Sequence, residues 1–206
     1  MQFDAVLLDV DGVLLDSTAV HRRVWTAWAT GHGLDVESVW QLTFGRRPED
    51  TVHDAAPHLD PALERLALDN LLAHEENGFP ALPGAAELLT GLAGTPWAIV
   101  TSGNREATTQ RFAAASLPLP DIQVYGEDVN RAKPAPDCYL LAAERLGVSP
   151  TKCAVIEDAP AGVEAGIAAG CMVIGLATTH PPTALREAHL HAATLKQAHT
   201  LILERG

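Results

Sequence analysis

Two aspartates, Asp9 and Asp11, follow the apolar run Ala5-Val6-Leu7-Leu8 and precede Gly12. A second apolar run, Trp97-Ala98-Ile99-Val100, ends in Thr101-Ser102-Gly103-Asn104, and another, Cys153-Ala154-Val155-Ile156, ends in Glu157-Asp158. Lys133 lies a few residues beyond the weaker run Ile122-Gln123-Val124. Carboxylates gathered in a small volume repel one another and need a cation. An all-oxygen set suits Mg²⁺, which keeps waters and binds through one or two carboxylates plus a phosphate. Thr101 or Ser102 hydroxyls, nearby backbone N–H groups and Lys133 can hold phosphate oxygens. A carboxylate beside the cation and an oriented phosphate can act as a nucleophile, giving an aspartyl-phosphate. The residue types do not choose between Asp9 and Asp11 for that role. Taken singly, each feature is an ordinary turn or cap. Their order, each after its own apolar run, is what points to chemistry.

The elements that must position them follow from the pattern. Short continuous apolar runs read as buried strands at Ala5–Leu8, Trp97–Val100, Ile122–Val124, Cys153–Ile156 and Met172–Leu176. Helix-length segments alternate with them from residue 84 onward: Gly84–Leu92, Arg105–Ala115, Pro136–Leu146 and Gly162–Ala169. That alternation predicts a doubly wound α/β core, a parallel sheet covered on both faces. Ligands bind outside the carboxyl ends of such strands, where the polar residues fall. Residues 17 to 77 break the alternation with helix patterns alone: Thr18–Thr30, Pro48–Ala56, and a helix opened by the cap Asp60 and first-turn Pro61 that runs to about Glu76. They read as an inserted helical-bundle cap, with residues 1–16 and 78–206 forming the core. Gly78, Pro80, Pro83 and Gly84 mark the return.

At these residues the chain resembles the haloacid dehalogenase-like hydrolase superfamily. Asp9-Val10-Asp11-Gly12-Val13 is similar to its first motif, Thr101-Ser102 to its second, Lys133-Pro134 to its third, and Glu157-Asp158-Ala159-Pro160-Ala161-Gly162 to its fourth. Leu82-Pro83-Gly84, Ala98 to Gly103, and Ala168-Ala169-Gly170-Cys171 resemble the sugar-phosphatase branch, which includes 2-deoxyglucose-6-phosphate and glycerol phosphatases. The resemblance implies a Rossmann-like core with a four-helix cap. It implies Asp9 as nucleophile and Asp11 as the acid that protonates the leaving sugar oxygen and then activates water. It also implies Mg²⁺ held by Asp9, the Asp11 carbonyl and Asp158, with Glu157 in or near that shell. Thr101, Ser102 and Lys133 would bind the phosphoryl group. The expected reaction is hydrolysis of small phosphorylated sugars or polyols.

Other polar residues carry expectations of their own. Gly45-Arg46-Arg47 resembles the branch's Gly-x-Arg pattern, which implies that Arg47, and less so Arg46, faces the substrate. Basic residues at a helix start oppose its dipole, which favours function there. His21 stands ten residues after Asp11, a spacing at which a histidine assists the general acid in the similar β-phosphoglucomutases. Asn104 is expected to cap the following helix. Trp25 and Trp28, at i and i+3, are expected to pack in the core. His189 and His191 lack further ligands at a useful spacing for a metal, and the tail after Leu185 is expected to close the sheet edge.

Composition narrows the class. The chain has 206 residues, 47% hydrophobic and 19% charged, with a net charge of −12, which suits an ordinary folded domain. The acidic balance argues against nucleic acid and anionic membrane surfaces as partners. The site offsets its own acids with Mg²⁺, Lys133 and Arg47, so an anionic metabolite is compatible. Three cysteines without C-x-x-C spacing suit reduced thiols in a cytoplasmic protein, and a monomer is the default. One rival is a β-phosphoglucomutase-type isomerase. That group carries an arginine where this chain has Pro48-Glu49, and residues 61 to 83 hold no lysine to grip a bisphosphate. The other is a signalling receiver domain, which lacks a helical insertion after the first strand.

Overall fold

A computed structural model describes residues 3–75 and 78–204. Six parallel strands form one sheet: β1 (Ala5–Leu8), β2 (Trp97–Val100), β3 (Ile122–Val124), β4 (Cys153–Glu157), β5 (Met172–Leu176) and β6 (Leu190–Ala192). Their order is β3-β2-β1-β4-β5-β6. The order reverses beside β1, which is where open α/β sheets carry their crevice. Leu8 pairs with Ile99 on one side and Ile156 on the other. One residue further along the same register, Asp9 stands level with Val100 and Glu157, so the polar strand ends share one edge.

Period two along β1 sends Val6 and Leu8 into one apolar layer and Ala5 and Leu7 into the other. The first layer packs α5 (Ala85–Gly91), α6 (Arg105–Ala114) and α9 (Leu195–Leu203) through Leu88, Phe112 and Ile202. The second packs α7 (Asp137–Leu146) and α8 (Pro160–Ala168) through Tyr139, Ala142 and Val163. Being covered on both faces is what makes these strands read as unbroken apolar runs.

Between β1 and α5 the described residues form helices only: α1 (Thr18–Gly31), α2 (Val36–Gln41), α3 (Pro48–Ala55) and α4 (Pro61–Ala73). They share a separate apolar cluster built on Trp25, Trp28, Trp40, Val52 and Leu68. Trp28 is buried as expected and donates its indole N–H to Glu64 at 2.7 Å. Asp60 caps α4 by accepting from the Ala62 N–H at 2.9 Å, with Pro61 in the first turn. The helix ends at Ala73, and Glu76 lies outside the described residues. The six-residue α2, capped by the Asp35 side chain, carries no period strong enough to read from sequence. β6 pairs with β5 at the sheet edge, where the tail was expected to close it. His189 accepts from the Val173 N–H, and His191 bonds the Leu185 carbonyl.

Candidate active site

Asp9 leaves β1 almost fully buried, and its Oδ1 accepts from Lys133 Nζ at 2.5 Å. The same ammonium reaches Glu157 Oε1 at 2.7 Å and the Val100 carbonyl at 3.2 Å. Lys133 thus ties the ends of β1, β2 and β4 together from the loop beyond β3. Glu157 is held from every side. Its Oε1 also accepts from the Tyr139 hydroxyl at 2.7 Å, and its Oε2 from the backbone N–H groups of Asp158 and Ala159 at 3.0 and 3.3 Å. Asp158 accepts from the Thr179 hydroxyl, which bonds both its carboxylate and its carbonyl. Gly12 has a φ of 84°, and a Cβ there would collide with the Asp158 carboxylate, so only glycine allows this approach.

The charges are unbalanced without a further cation. Asp9, Glu157 and Asp158 offer oxygens within 4.8 Å of one another, with Lys133 between two of them. Three buried carboxylates against one ammonium leave a deficit of two charges, which a divalent, oxygen-seeking cation would close. Burial is the main cause of a raised pKa at Asp9, where Glu157 and Asp158 add to it and Lys133 opposes it. Burial and the Glu157 charge push Asp158 up to about 8. Lys133 is raised in spite of burial, because Asp9 and Glu157 stabilise its charge. The donor set therefore fits Mg²⁺.

Asp11 stands differently. Burial disfavours its carboxylate, but His21, Arg111 and the Ser17 hydroxyl together hold it below the usual range. Its Oδ1 has no hydrogen-bond partner among the described residues, and Arg111 Nη1 lies 3.8 Å away. Arg111 is packed on the Phe79 ring, 3.9 Å from its centroid. Burial holds the His21 imidazole below its usual value, with Arg111 adding to this and Asp11 opposing it. His21, Asp9, Asp11, Thr101, Ser102 and Asp158 all line one cavity of about 120 Å³ between the strand ends and the helices.

Thr101 is buried, and its Oγ1 accepts from the Gly103 N–H at 3.0 Å. Ser102 donates to the Gly45 carbonyl at 2.9 Å. Asn104 caps α6 by accepting from the Ala107 N–H at 2.8 Å. The two arginines after Gly45 part company. Arg46 lines the cavity and is paired to Asp54 at 2.7 Å. Arg47 does not line it. Its guanidinium donates to the carbonyls of Gly126, Val129 and Asn130 at 3.2–3.4 Å and pairs with Asp50. The Arg47 charge expected at the substrate is thus spent on a bridge to the β3 loop.

Sequence reasoning passed over Thr179, Tyr139, Arg111 and Arg65. Thr179 had a readable signal, since Thr178-Thr179 come one residue after the end of β5, much as Thr101-Ser102 follow β2. Tyr139 and Arg111 sit inside helices, where nothing in the local pattern marks them.

The chain matches the haloacid dehalogenase-like hydrolase family over residues 3–170. It belongs to that family. Hexitol phosphatase A of Escherichia coli is 42% identical over 202 residues, covering 96% of this chain and 94% of the relative. Glycerol-1-phosphate phosphohydrolase 2 of Saccharomyces cerevisiae is 32% identical over 200 residues, covering 91% and 80%. The solved β-phosphoglucomutase of Clostridium difficile superposes with a TM-score of 0.87 at 20% identity, covering 99% of this chain and 97% of that one. At that identity the likeness concerns the fold.

Proposed function

We propose that this family member is a Mg²⁺-dependent phosphatase that hydrolyses small phosphorylated sugars or polyols through an aspartyl-phosphate on Asp9. The observation that carries this reading is the buried Asp9–Lys133 contact at 2.5 Å, with Asp9 lining the same cavity as Asp11. The two curated relatives, named as phosphatases of a hexitol phosphate and a glycerol phosphate, support the substrate class.

Asp9, Asp158 and the Asp11 carbonyl would hold Mg²⁺, with Glu157 beside that shell holding Lys133. When bound, Mg²⁺ supplies positive charge that neutralises the phosphoryl oxygens and the carboxylates around them. The Thr101 hydroxyl and the backbone after β2 bind the same oxygens, and Lys133, held by Asp9, Glu157 and the Val100 carbonyl, adds its positive charge beside them. Asp9 attacks phosphorus, and the bond to the sugar oxygen breaks as Asp11, whose lowered pKa the negative charge of the arriving phosphate raises, passes a proton to that oxygen. Asp11, now a carboxylate, takes a proton from water, which attacks the aspartyl-phosphate and frees Asp9 and inorganic phosphate. Such acid–base assistance supplies roughly 10²–10⁴-fold. His21 stands beside Asp11 to orient it. Residues 17–77 act as a cap over a core of residues 1–16 and 78–206, and closing the cap excludes water from the site.

The β-phosphoglucomutase fold is shared, but the closer sequence relatives are phosphatases. The acidic chain and its buried thiols support a cytoplasmic enzyme. Its partner is a small phosphorylated metabolite rather than nucleic acid or membrane, and a monomer is the working state. A phosphate-release screen over phosphorylated metabolites, with and without Mg²⁺, tests the reading, with glucose 1-phosphate isomerisation assayed alongside. Mg²⁺-dependent release from sugar or polyol phosphates is expected. Isomerisation without release, or no activity on any sugar phosphate, would overturn it.

A further inference from the structure

Helix α4 carries apolar residues on two faces: Leu68 is buried in the cap core, with Leu71 and Leu72 packed beside it. Its apolar Leu63 and Leu66 are 63% and 61% exposed. The charged Arg65 and Asp69 instead line the cavity, interleaved with Leu68 and Leu72. Positions 65, 68, 69 and 72 follow the i, i+3, i+4, i+7 spacing of a single helix face. An ion pair set among buried and half-buried leucines on a cavity-facing helix face breaks the usual pattern, and such departures are expected at functional surfaces.

The charges on that wall are closed among themselves. Arg65 Nε donates to both Asp69 oxygens at 2.9 and 3.0 Å, and Nη1 to both Glu49 oxygens at 3.2 Å. Arg46, the other cap-side arginine on the cavity, is paired with Asp54. Arg111 faces Asp11 from the core side. A second phosphate, with about −1.5 to −2 charge, would meet on this cap wall only arginines already paired to acids and would be repelled by Asp69. A hydroxyl carries no charge and both donates and accepts. Each Asp69 oxygen keeps acceptor capacity beyond its one bond to Arg65, and Arg65 Nη2 makes no hydrogen bond among the described residues. Leu68, Leu72 and Trp25 offer apolar surface between these polar points. Alternating O–H and C–H groups are the surface of a hydroxylated carbon chain.

We infer that Arg65 and Asp69 determine specificity by reading the hydroxyls of an uncharged chain at the end of the substrate away from the phosphate. Substrates are therefore monophosphates of polyhydroxylated chains, and sugar bisphosphates are excluded. This inference rests on Asp9 and Asp11 marking the reacting end of the cavity.

The test compares kcat/KM for a hexitol monophosphate, phenyl phosphate and a hexose bisphosphate in wild-type, Asp69→Ala and Arg65→Ala proteins, with Asp69→Asn as the conservative variant should the alanine fail to fold. The wild type is expected to prefer the hexitol ester over the other two. Each substitution is expected to cut the preference over phenyl phosphate at least tenfold, chiefly through KM. A preference that stays within twofold of wild type in both variants, or a wild type that favours the bisphosphate, would overturn the inference. A binding arm separates this from the catalytic reading. Tryptophan emission of the Asp9→Asn protein is titrated with the hexitol ester and with inorganic phosphate, with and without Asp69→Ala. A tenfold fall in the ratio of the two affinities supports the inference even if no turnover is found. An unchanged ratio sinks it even in an active phosphatase.

Discussion

The Ser102 hydroxyl at the end of β2 donates to the Gly45 carbonyl, 57 residues away in sequence, at 2.9 Å. It joins the proposed phosphate-binding loop to the helical region. Arg47, two residues beyond Gly45, makes the same crossing with three bonds to carbonyls of the loop at Gly126–Asn130. These contacts tie the segment Gly45–Arg47 to the loops after β2 and β3. Arg47→Ala is expected to raise KM roughly tenfold with a smaller change in kcat, because that segment loses its bridge. Arg47→Lys should rescue little, since a single ammonium cannot span three carbonyls as a planar fork does. Steady-state kinetics on the best substrate decide this. A fall in kcat at constant KM would instead place Arg47 in the chemical step.

Among the described residues Lys133 is the one cation between Asp9 and Glu157. Lys133→Met strands two buried carboxylates, and breaking such a pair costs about 3–5 kcal/mol. For a chain of this size that lowers Tm by roughly 6–20 °C at ~2–4 °C per kcal/mol. Asp9→Asn alone should keep the fold and abolish turnover, because the nucleophile is gone. Adding it to Lys133→Met should recover part of the lost stability, since one stranded charge disappears. Thermal melts of the two single variants and the double test the coupling. Additive losses would contradict a shared ion pair.

The sheet and its polar edge were legible because burial on both faces leaves strands as unbroken apolar runs, so Asp9, Thr101 and Glu157 stand out where each run stops. Helix α2 was not legible, because six residues capped by Asp35 carry less than two turns of period. β6 was legible only as a tail, because a three-residue edge strand with exposed His191 has no apolar run to show. The pair Arg46 and Arg47 shows a different limit. Sequence marked both as unusual at a helix start, but which one turns inward depends on how the chain leaves Gly45, at φ 71°. Arg65 was hidden for a related reason. Its i+4 partner Asp69 reads as a solvated surface pair until the fold sets that face against the cavity.

Asp128 links this edge to stability. Its carboxylate accepts from the Tyr125 N–H at 3.1 Å and from Arg145 at 3.1 Å, in the same short turn that offers Gly126 to Arg47. Burial alone would raise its pKa, but the Tyr125 N–H, Arg145 and Arg105 together hold it below the usual value. A folded-state pKa below the unfolded one stabilises above the unfolded value, near 3.9. That stabilisation disappears as pH falls through the folded value. Asp128→Asn is expected to be less stable than wild type at pH 7, with the gap closing as the pH falls below the unfolded value and through the lower folded one. Denaturant melts at pH 7 and in the acid range measure it. A gap that persists unchanged into acid would show that packing, and not charge, is what the aspartate contributes.

Thr179 bonds Asp158 through its hydroxyl at both the carboxylate and the carbonyl, and among the described residues it hydrogen-bonds no other proposed metal-binding group. It fixes the rotamer of a carboxylate whose charge is otherwise disfavoured by burial and by Glu157. Groups that orient a metal-binding side chain from behind change metal affinity or activity by roughly 10–100-fold when removed. Thr179→Val keeps the shape and deletes the hydroxyl. It is expected to raise the Mg²⁺ concentration at half-maximal rate by about 10–100-fold, while kcat at saturating Mg²⁺ recovers to within a few-fold of wild type. Thr179→Ser should restore the wild-type Mg²⁺ dependence, because it returns the donor without the methyl. Chelation followed by Mg²⁺ titration of the three proteins reads both quantities at once. A loss of kcat that excess Mg²⁺ cannot restore would assign the hydroxyl to the reaction itself and not to the posture of Asp158.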